Sequence, residues 1–498
     1  MSVISSLLTG LLAVFQINNL LFVVLGSFIG IVIGILPGLG SSAAIAMLIP
    51  LGFALPPNYT LIMMCAIYMG AMTAGAITSI LLNVPGTPAA VMTALDGHPL
   101  ALKGQAGKAI GIGVFSSFVG GTLSIIGLSF LSMPLVGIAL KFGPPEYFSV
   151  FIVAFTIAST LIGKSALKGV LGVFLGIILS TVGSDLQTGV PRFTYGLNLL
   201  LDGIDFVVAT IGIFAMGEVL SYIVNMKKLD KNILELKGKV WPTMIEFLSV
   251  IPSIIRGTII GFIAGILPGS GGALGTAVSY AVEKRVHKDG EHFGEGILAG
   301  VAAPEAANNA SVGGALIPMM TLGVPGSGTT AILMVVLFMY GLKPGPLLFI
   351  EQSTLVWTVI SSLYVSNLAV LLIVFLMLPI FVKILKIQSE YLLPGIVLFS
   401  AVGVYTVHSL PADVYLLIFF GLLALALRQL GFSIVPVILG LLLGASVEQS
   451  FRQSMIMSRG SFEIFFTRPI SLILLSLVIV IILTDIYRKR KQGKLVSN

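Results

Sequence analysis

Apolar runs of about 20 residues follow one another along almost the whole chain, each long enough to cross a hydrocarbon core of roughly 30 Å as a helix. Of the 498 residues 57% are hydrophobic and only 9% charged, and the mean hydropathy is +1.09. A soluble domain carries about 25% charged residues, so this chain lacks the polar surface to be one. The runs are rich in Leu, Ile, Val and Gly and do not alternate, which selects helices over an outer-membrane barrel. The expectation is an all-α polytopic membrane protein with roughly 12 or more membrane segments.

The net charge of +7 is no sign of nucleic-acid binding. Most Lys and Arg sit in short loops and in the tail "RKRKQGK", where they report which side is cytoplasmic. Cys65 is the single cysteine, which excludes an intrachain disulfide and a thiolate metal site. The opening "MSVISSLLTGLLAVFQI" has no basic n-region and no small-x-small cleavage site, so no cleaved signal peptide is expected. A multi-pass protein of the bacterial inner membrane, in contact with the lipid bilayer, is the expected class.

One hydrophilic stretch, 225–247, carries five lysines and divides the chain near its middle. Landmarks recur across it in the same order. Pro37-Gly38 returns as Pro268-Gly269, 231 residues on; Val84-Pro85-Gly86 returns as Val324-Pro325-Gly326, 240 on; Glu146-Tyr147 returns as Glu390-Tyr391, 244 on. A weaker match pairs Gly176 with Gly440 at an offset of 264, and the last step leaves room for one extra helix near Asp413 to Arg428. The expected organisation is a first transmembrane repeat over 1–224, a basic cytoplasmic linker over 225–248, a second repeat with one extra helix over 249–486, and a basic cytoplasmic tail over 487–498.

Twin loops carry opposite charge. "LPPNY" is neutral where its twin "EKRVHKDGEH" is basic, and "GKSALKG" has two lysines where its twin "HSLPAD" has none. Opposite positive bias favours inverted-topology repeats. The segment "FRQSMIMSRGSFEIFFTRP" fits poorly, since it puts three arginines on the outer side.

The strings "GIVIGILPGLGSS" and "GFIAGILPGSGGA" concentrate the helix breakers. Glycine costs about 1 kcal/mol relative to alanine in a helix interior and proline about 3 kcal/mol. Gly34, Pro37, Gly38 and Gly40 should therefore break one helix near its middle, and Gly265, Pro268, Gly269, Ser270 and Gly271 another. Such a break survives in a membrane only inside protein or beside a wet cavity. The competing reading is a tight small-residue helix crossing, which accounts for the glycines but not for the proline, the Ser41-Ser42 at a natural N-cap, or the second copy.

The second repeated element is V-P-G followed by hydroxyl residues: Pro85, Gly86 and Thr87 in one half, Pro325, Gly326, Ser327, Thr329 and Thr330 in the other. The amides and positive dipole end of the helix that follows would form an anion site without a formal charge. Asn83, Asn308, Asn309 and Ser311 add amides and hydroxyls, and unwound carbonyls would suit Na⁺. Each of these side chains taken singly also fits a helix-packing hydrogen bond. Glu305, in the neutral "AAPEAANNA", is either an intramembrane carboxylate or a satisfied helix-terminus residue, while Asp96 and His98 in "LDGHP" read as loop residues. Very few cations lie within the spans, so an anion would be held by helix ends, amides and co-bound cations.

The same residues bear on two other classes. Ser270 as an enzyme nucleophile needs a base within reach, but three of the four histidines read as loop residues and His408 stands at a span edge. No HExxH or acidic metal motif is present, so no catalytic residue is assigned. A channel or sensor without active accumulation remains the alternative to pumping; channels usually build filters from identical subunits, which two inverted halves in one chain do not resemble.

The long motifs "GILPGLGSSAAIAMLIPL", "YMGAMTAGAITSILLNVPGTPAAVMTALDGHPLALKGQAGKAIGIG", "STVGSDLQTGVPRFTYG", "APEAANNASVGGALIPMMTLGVPGSGTTA" and "GLKPGP" strongly resemble the large membrane subunit of the tripartite tricarboxylate transporters, the TctA family. The resemblance runs from about Leu21 to Arg452. It implies a secondary active importer, a symporter driven by a Na⁺ or H⁺ gradient and without other cofactor. It also implies a small membrane subunit and a periplasmic substrate-binding protein that delivers carboxylates such as citrate. The glycine–proline motifs, carried onto Gly34 to Ser42, Asn83 to Thr87, Gly265 to Gly271, Asn308 to Ser311 and Pro325 to Thr330, are implied to lie at the substrate and ion sites.

Overall fold

The computed structural model describes residues 2–36, 40–161, 165–185, 187–197, 200–224, 234, 236, 240–269, 271–385 and 393–496, with side chains up to 487. Pro37, Gly38, Ser270, most of the basic linker and the Glu390-Tyr391 landmark lie outside the described residues.

Two helices form the centre, Pro57–Leu82 and Leu298–Leu322, and both are buried over nearly their whole length. Their sequences explain why. They are rich in Gly, Ala, Ser, Thr, Met and Asn and almost free of charge, so neighbouring backbones approach closely and little polar surface needs water. Ile17–Gly34 packs on the first through Gly26, Gly30 and Gly34, which face Met63, Ile67 and Ala71. Met244–Ile266 packs on the second through Gly257, Gly261 and Gly265, which face Ala303, Ala307 and Ser311. A Cβ at Gly30 would stand 2.4 Å from the Ile67 carbonyl oxygen, and one at Gly261 2.1 Å from that of Ala307. The glycine stripes before each break are therefore packing surfaces, and the crossing and broken-helix readings both hold, at different residues.

Around this centre, Ala106–Ala139 lies along Leu298–Leu322 and Ser353–Ile384 along Pro57–Leu82. Ala166–Ser180 pairs with Ile434–Met457, Gly176 meeting Gly440. The helical segment Phe206–Val224, which opens into a π-turn at Gly212–Met216, pairs with Pro411–Gln429. Val3–Val14 rides on Ser353–Ile384, and Pro469–Val496 rides on Pro144–Leu161 with Ser471 and Ser149 hydroxyls 2.7 Å apart. Two short strands, Gly183–Ser184 and Pro191–Arg192, pair antiparallel between two helix ends. Among the described residues nine helices are long and apolar enough to cross a membrane, and five shorter apolar helices accompany them. The chain is a multi-pass helical membrane protein.

Candidate functional site

Four helices end near the centre of the molecule, in two matched ways. Ile17–Gly34 stops and a new helix, Ser41–Gly52, starts; Met244–Ile266 stops and Gly271–Val286 starts. The second turn uses Gly269 (φ 77°) and Gly271 (φ 55°), a region that costs a side-chain-bearing residue energy. Pro57–Leu82 ends on Asn83 with φ 54°, and Leu298–Leu322 ends on Gly323 with φ 70°, both left-handed caps. Each V-P-G that follows folds back onto the other break of its own half. A Cβ at Gly86 would lie 2.8 Å from the Gly34 carbonyl oxygen, and one at Gly326 2.6 Å from that of Gly265.

The restarted helices then cross between halves. Ser41–Gly52 runs beside Gly328–Met339, with Ser41 and Ser42 hydroxyls 2.8 and 3.0 Å from that of Thr329 at one end and Gly52 beside Tyr340 at the other. Gly271–Val286 starts against the 3-10 turn Pro88–Ala90 and passes Val91–Leu102, where Tyr280 meets Asp96. The starts adjoin one another: the Gly271 amide faces the Gly326 carbonyl at 3.4 Å. A Cβ at Gly328 would reach the Ser42 hydroxyl at 3.4 Å, and one at Gly272 the Asn308 Oδ1 at 2.8 Å. Helix N-termini thus aim into one buried cluster, each presenting first-turn amides and the positive end of its dipole. At Gly328–Met339 a reciprocal cap between Ser327 and Thr330 takes two of those amides, leaving the Gly328 and Thr329 amides at the open end.

The side chains around this cluster add acceptors. Asn308 donates to the Met72 carbonyl at 3.0 Å, and its Oδ1 is buried without a hydrogen-bond partner among the described residues. The Thr87 hydroxyl is buried beside Gly75 in the same condition. Orphaned buried acceptors cost about 1–3 kcal/mol each unless a ligand satisfies them. A dehydrated monovalent cation is such a ligand, since the oxygens that bind it need no protons. Thr73 donates to Asn309 Oδ1 at 2.9 Å and ties the two central helices together at this level, while Ser311 donates to the Asn308 carbonyl.

Glu305 lies in the interior of its helix, fully buried, and is not a terminus residue. Thr93 and Ser117, from two first-half helices, donate to its two oxygens. Among the described residues no Lys, Arg or His pairs with it. Its carboxyl belongs to a separate packet; the Asn309 side chain, which faces the cluster, donates to the Glu305 backbone carbonyl and not to the carboxyl.

Several sequence expectations change. Gly40, not Ser41 or Ser42, is the N-cap of its helix, and those serines face the other half instead. Asn83 is exposed at its cap, so it shapes the turn and does not line the cluster. Asp96 and His98 are helical: Asp96 is fully buried and accepts from three backbone amides and Tyr280, and the His98 ring meets the Ile80 carbonyl. Met72, Thr73, Thr93, Ser117 and Tyr280 gave no sequence signal of their own. Pro325 and Gly326 are buried at the turn itself, whereas Pro85 is half-buried.

A polar cavity of about 290 Å³ lies apart from the cluster, at the far end of Ile434–Met457. Its Arg192 and Arg452 are each paired with both Asp185 and Glu448, so its cations are already engaged. The amides of Thr188 and Gln187, with Arg452, hold the Asp185 carboxyl well below the ordinary carboxylate range.

The chain is 36% identical over 494 residues to an uncharacterized 52.8 kDa protein in the TAR-I ttuC' 3' region of Agrobacterium vitis, covering 98% of each. It is 38% identical over 191 residues to an uncharacterized protein in the TAR-II ttuC' 3' region of the same organism, covering 38% of this chain and 79% of that one. No solved structure matches. Residues 20–439, which hold every broken helix described above, match the family model of the tripartite tricarboxylate transporter TctA family, and the chain belongs to that family.

Proposed function

We propose that this transporter is a secondary active importer of di- or tricarboxylates such as citrate. It is driven by a Na⁺ or H⁺ gradient across the bacterial inner membrane and works with a small membrane subunit and a periplasmic substrate-binding protein. The observation that carries the reading is the convergence of helix N-termini on a buried cluster that holds no Lys or Arg among the described residues. A carboxylate held there by amides, hydroxyls and a co-bound cation has no permanent counter-ion to trap it, so release is as accessible as binding. The orphaned Asn308 and Thr87 oxygens favour Na⁺ as the coupling ion.

The directions of the restarted helices support the inverted-repeat reading. Ser41–Gly52 leaves the cluster toward Tyr340, and its twin Gly271–Val286 leaves it toward the basic loop after Val286. The first of these two sides is then external and the second cytoplasmic. The outer arginines that fit poorly in the sequence are largely neutralised: Arg452 by Asp185 and Glu448, and Arg468 by Glu146 at 2.8 Å. The test is uptake of labelled citrate and smaller dicarboxylates into proteoliposomes with the Na⁺ and H⁺ gradients varied separately. Accumulation above the outside concentration, abolished when the Na⁺ gradient collapses, is expected. Equilibration only to the outside level makes the protein a channel and refutes the reading.

A further inference from the structure

The geometry points to Asp96 and Tyr340 as two latches that close the central cluster, one on each side, so that breaking either opens the cluster toward its own side alone. The inference rests on the transport reading above but concerns positioning residues that do not touch the cluster.

On the side of the basic loop, the proposed exit is the seam where Gly271–Val286 lies against Val91–Leu102. Asp96 spans that seam. Its carboxylate accepts from the amides of Gly294, Gly296 and Ile297 at 2.9, 2.9 and 2.8 Å and from the Tyr280 hydroxyl at 2.8 Å. Gly294 and Gly296 both have φ 103°, a conformation that L side chains rarely adopt, and it is this backbone that turns the amides inward. Gly300 leaves the space: a Cβ there would stand 2.1 Å from Asp96 Oδ2. Lys103 closes the same seam further out by donating to the Glu295 carbonyl. A first-half helix thus grips both the restarted second-half helix and the loop that follows it.

On the opposite side, the proposed exit is the seam where Ser41–Gly52 lies against Gly328–Met339. Tyr340 stands directly after the second helix and sets its hydroxyl against the Gly52 and Leu55 carbonyls and the Thr60 hydroxyl. The partners are related as the halves are, since each latch joins a helix restarted after G-I-L-P-G to the helix after the other half's V-P-G. The chemistry is not. Asp96 is a carboxylate with four donors, whereas Tyr340 is a phenol against neutral oxygens, and charge-assisted hydrogen bonds are roughly twice as strong as neutral ones. The Asp96 side is accordingly the harder to open, and its loss has the larger effect.

The test reads access directly and needs no substrate. Cys65 is the single cysteine, so Cys65→Ala clears the full-length chain for a reporter, Ser41→Cys, at a buried position in the cluster. A membrane-impermeant thiol reagent is then applied to right-side-out and inside-out vesicles. The parent is expected to label slowly from both sides. Asp96→Asn is expected to raise the labelling rate about tenfold or more from the Lys103 side only, and Tyr340→Phe by a smaller factor from the Gly52 side only. Tyr280→Phe removes one of the four donors and gives a milder form of the first result should Asp96→Asn not insert. Unchanged rates in inserted variants, equal gains on both sides, or gains on the wrong side overturn the proposal. Citrate uptake is measured in parallel vesicles that hold the unsubstituted protein: one-sided labelling in the reporter variants with no uptake by the unsubstituted protein refutes the carboxylate reading and leaves the latches standing.

Discussion

Replacing Gly86 or Gly326 by alanine tests whether the matched V-P-G folds shape the cluster. At Gly326 the new Cβ would sit 2.6 Å from the Gly265 carbonyl oxygen and 2.7 Å from the Ala315 Cα; at Gly86 it would sit 2.8 Å from the Gly34 carbonyl oxygen and 3.1 Å from the Gly75 Cα. The crowding atoms at Gly326 are mainly backbone, so no flexible side-chain end can swing aside. Ordinary contact begins near 3.4 Å, so the turn must move by about 0.6–0.8 Å at either site. Overpacking of this kind costs about 1–3 kcal/mol. The displaced segment carries Ser327 and Thr329 in one half and Thr87 in the other, and a misplacement of about 1 Å at a site built on geometry costs on the order of 100-fold in rate. The assay is initial citrate uptake in proteoliposomes, normalised to inserted protein, with thermal unfolding in detergent measured alongside. Gly137→Ala is the control: it faces open space on a helix, where alanine stabilises by about 0.5–1 kcal/mol. Both V-P-G variants should lose most uptake and melt earlier, while the control should do neither. Parental uptake and melting in Gly326→Ala would refute the claim that this close approach shapes the site.

Asn308→Ala removes an orphaned acceptor and the bond to the Met72 carbonyl, so a Na⁺ titration of uptake should shift about tenfold or more toward higher Na⁺. Glu305→Ala leaves the Thr93 and Ser117 hydroxyls without their acceptor in a sealed packet and opens a cavity. It should destabilise by about 2–4 kcal/mol in thermal unfolding, with Glu305→Gln recovering most of the loss. The Asp185 carboxyl has a depressed folded-state pKa, so the stability it contributes is present above the ordinary carboxylate pKa of about 4 and fades as pH falls below it. Protection of residues 187–190 and 192 against hydrogen exchange, corrected for the pH dependence of the intrinsic exchange rate, should therefore fall by about an order of magnitude between pH 5 and pH 3 in the parent, and much less in Asp185→Asn.

The parts legible in the sequence were those that local chemistry decides. Apolar length gave the helices, and proline beside glycine marked where two of them stop, because no neighbour can supply the missing amide or relieve the ring. Gly34 is ambiguous in the sequence because close packing and helix breaking call for the same residue, and only its partner Ala71 separates the two. The meeting of Ser41 with Thr329 was not legible at all, since nothing in either segment encodes a partner 288 residues away. Asp96 was misread for a physical reason: Gly97 and Pro99 punctuate like a loop, yet Gly97 is pressed against Ile80 and the carboxylate is satisfied by amides from another segment. Tertiary contacts outweighed the local preference there.

The most direct test is an experimental map of the full-length protein with citrate and Na⁺ bound. The account predicts citrate density among the Ser41, Gly271, Gly328 and Thr329 helix starts, with a cation against Asn308 Oδ1. Citrate in the Arg192–Arg452 cavity, with the helix starts packed only against one another, would contradict it.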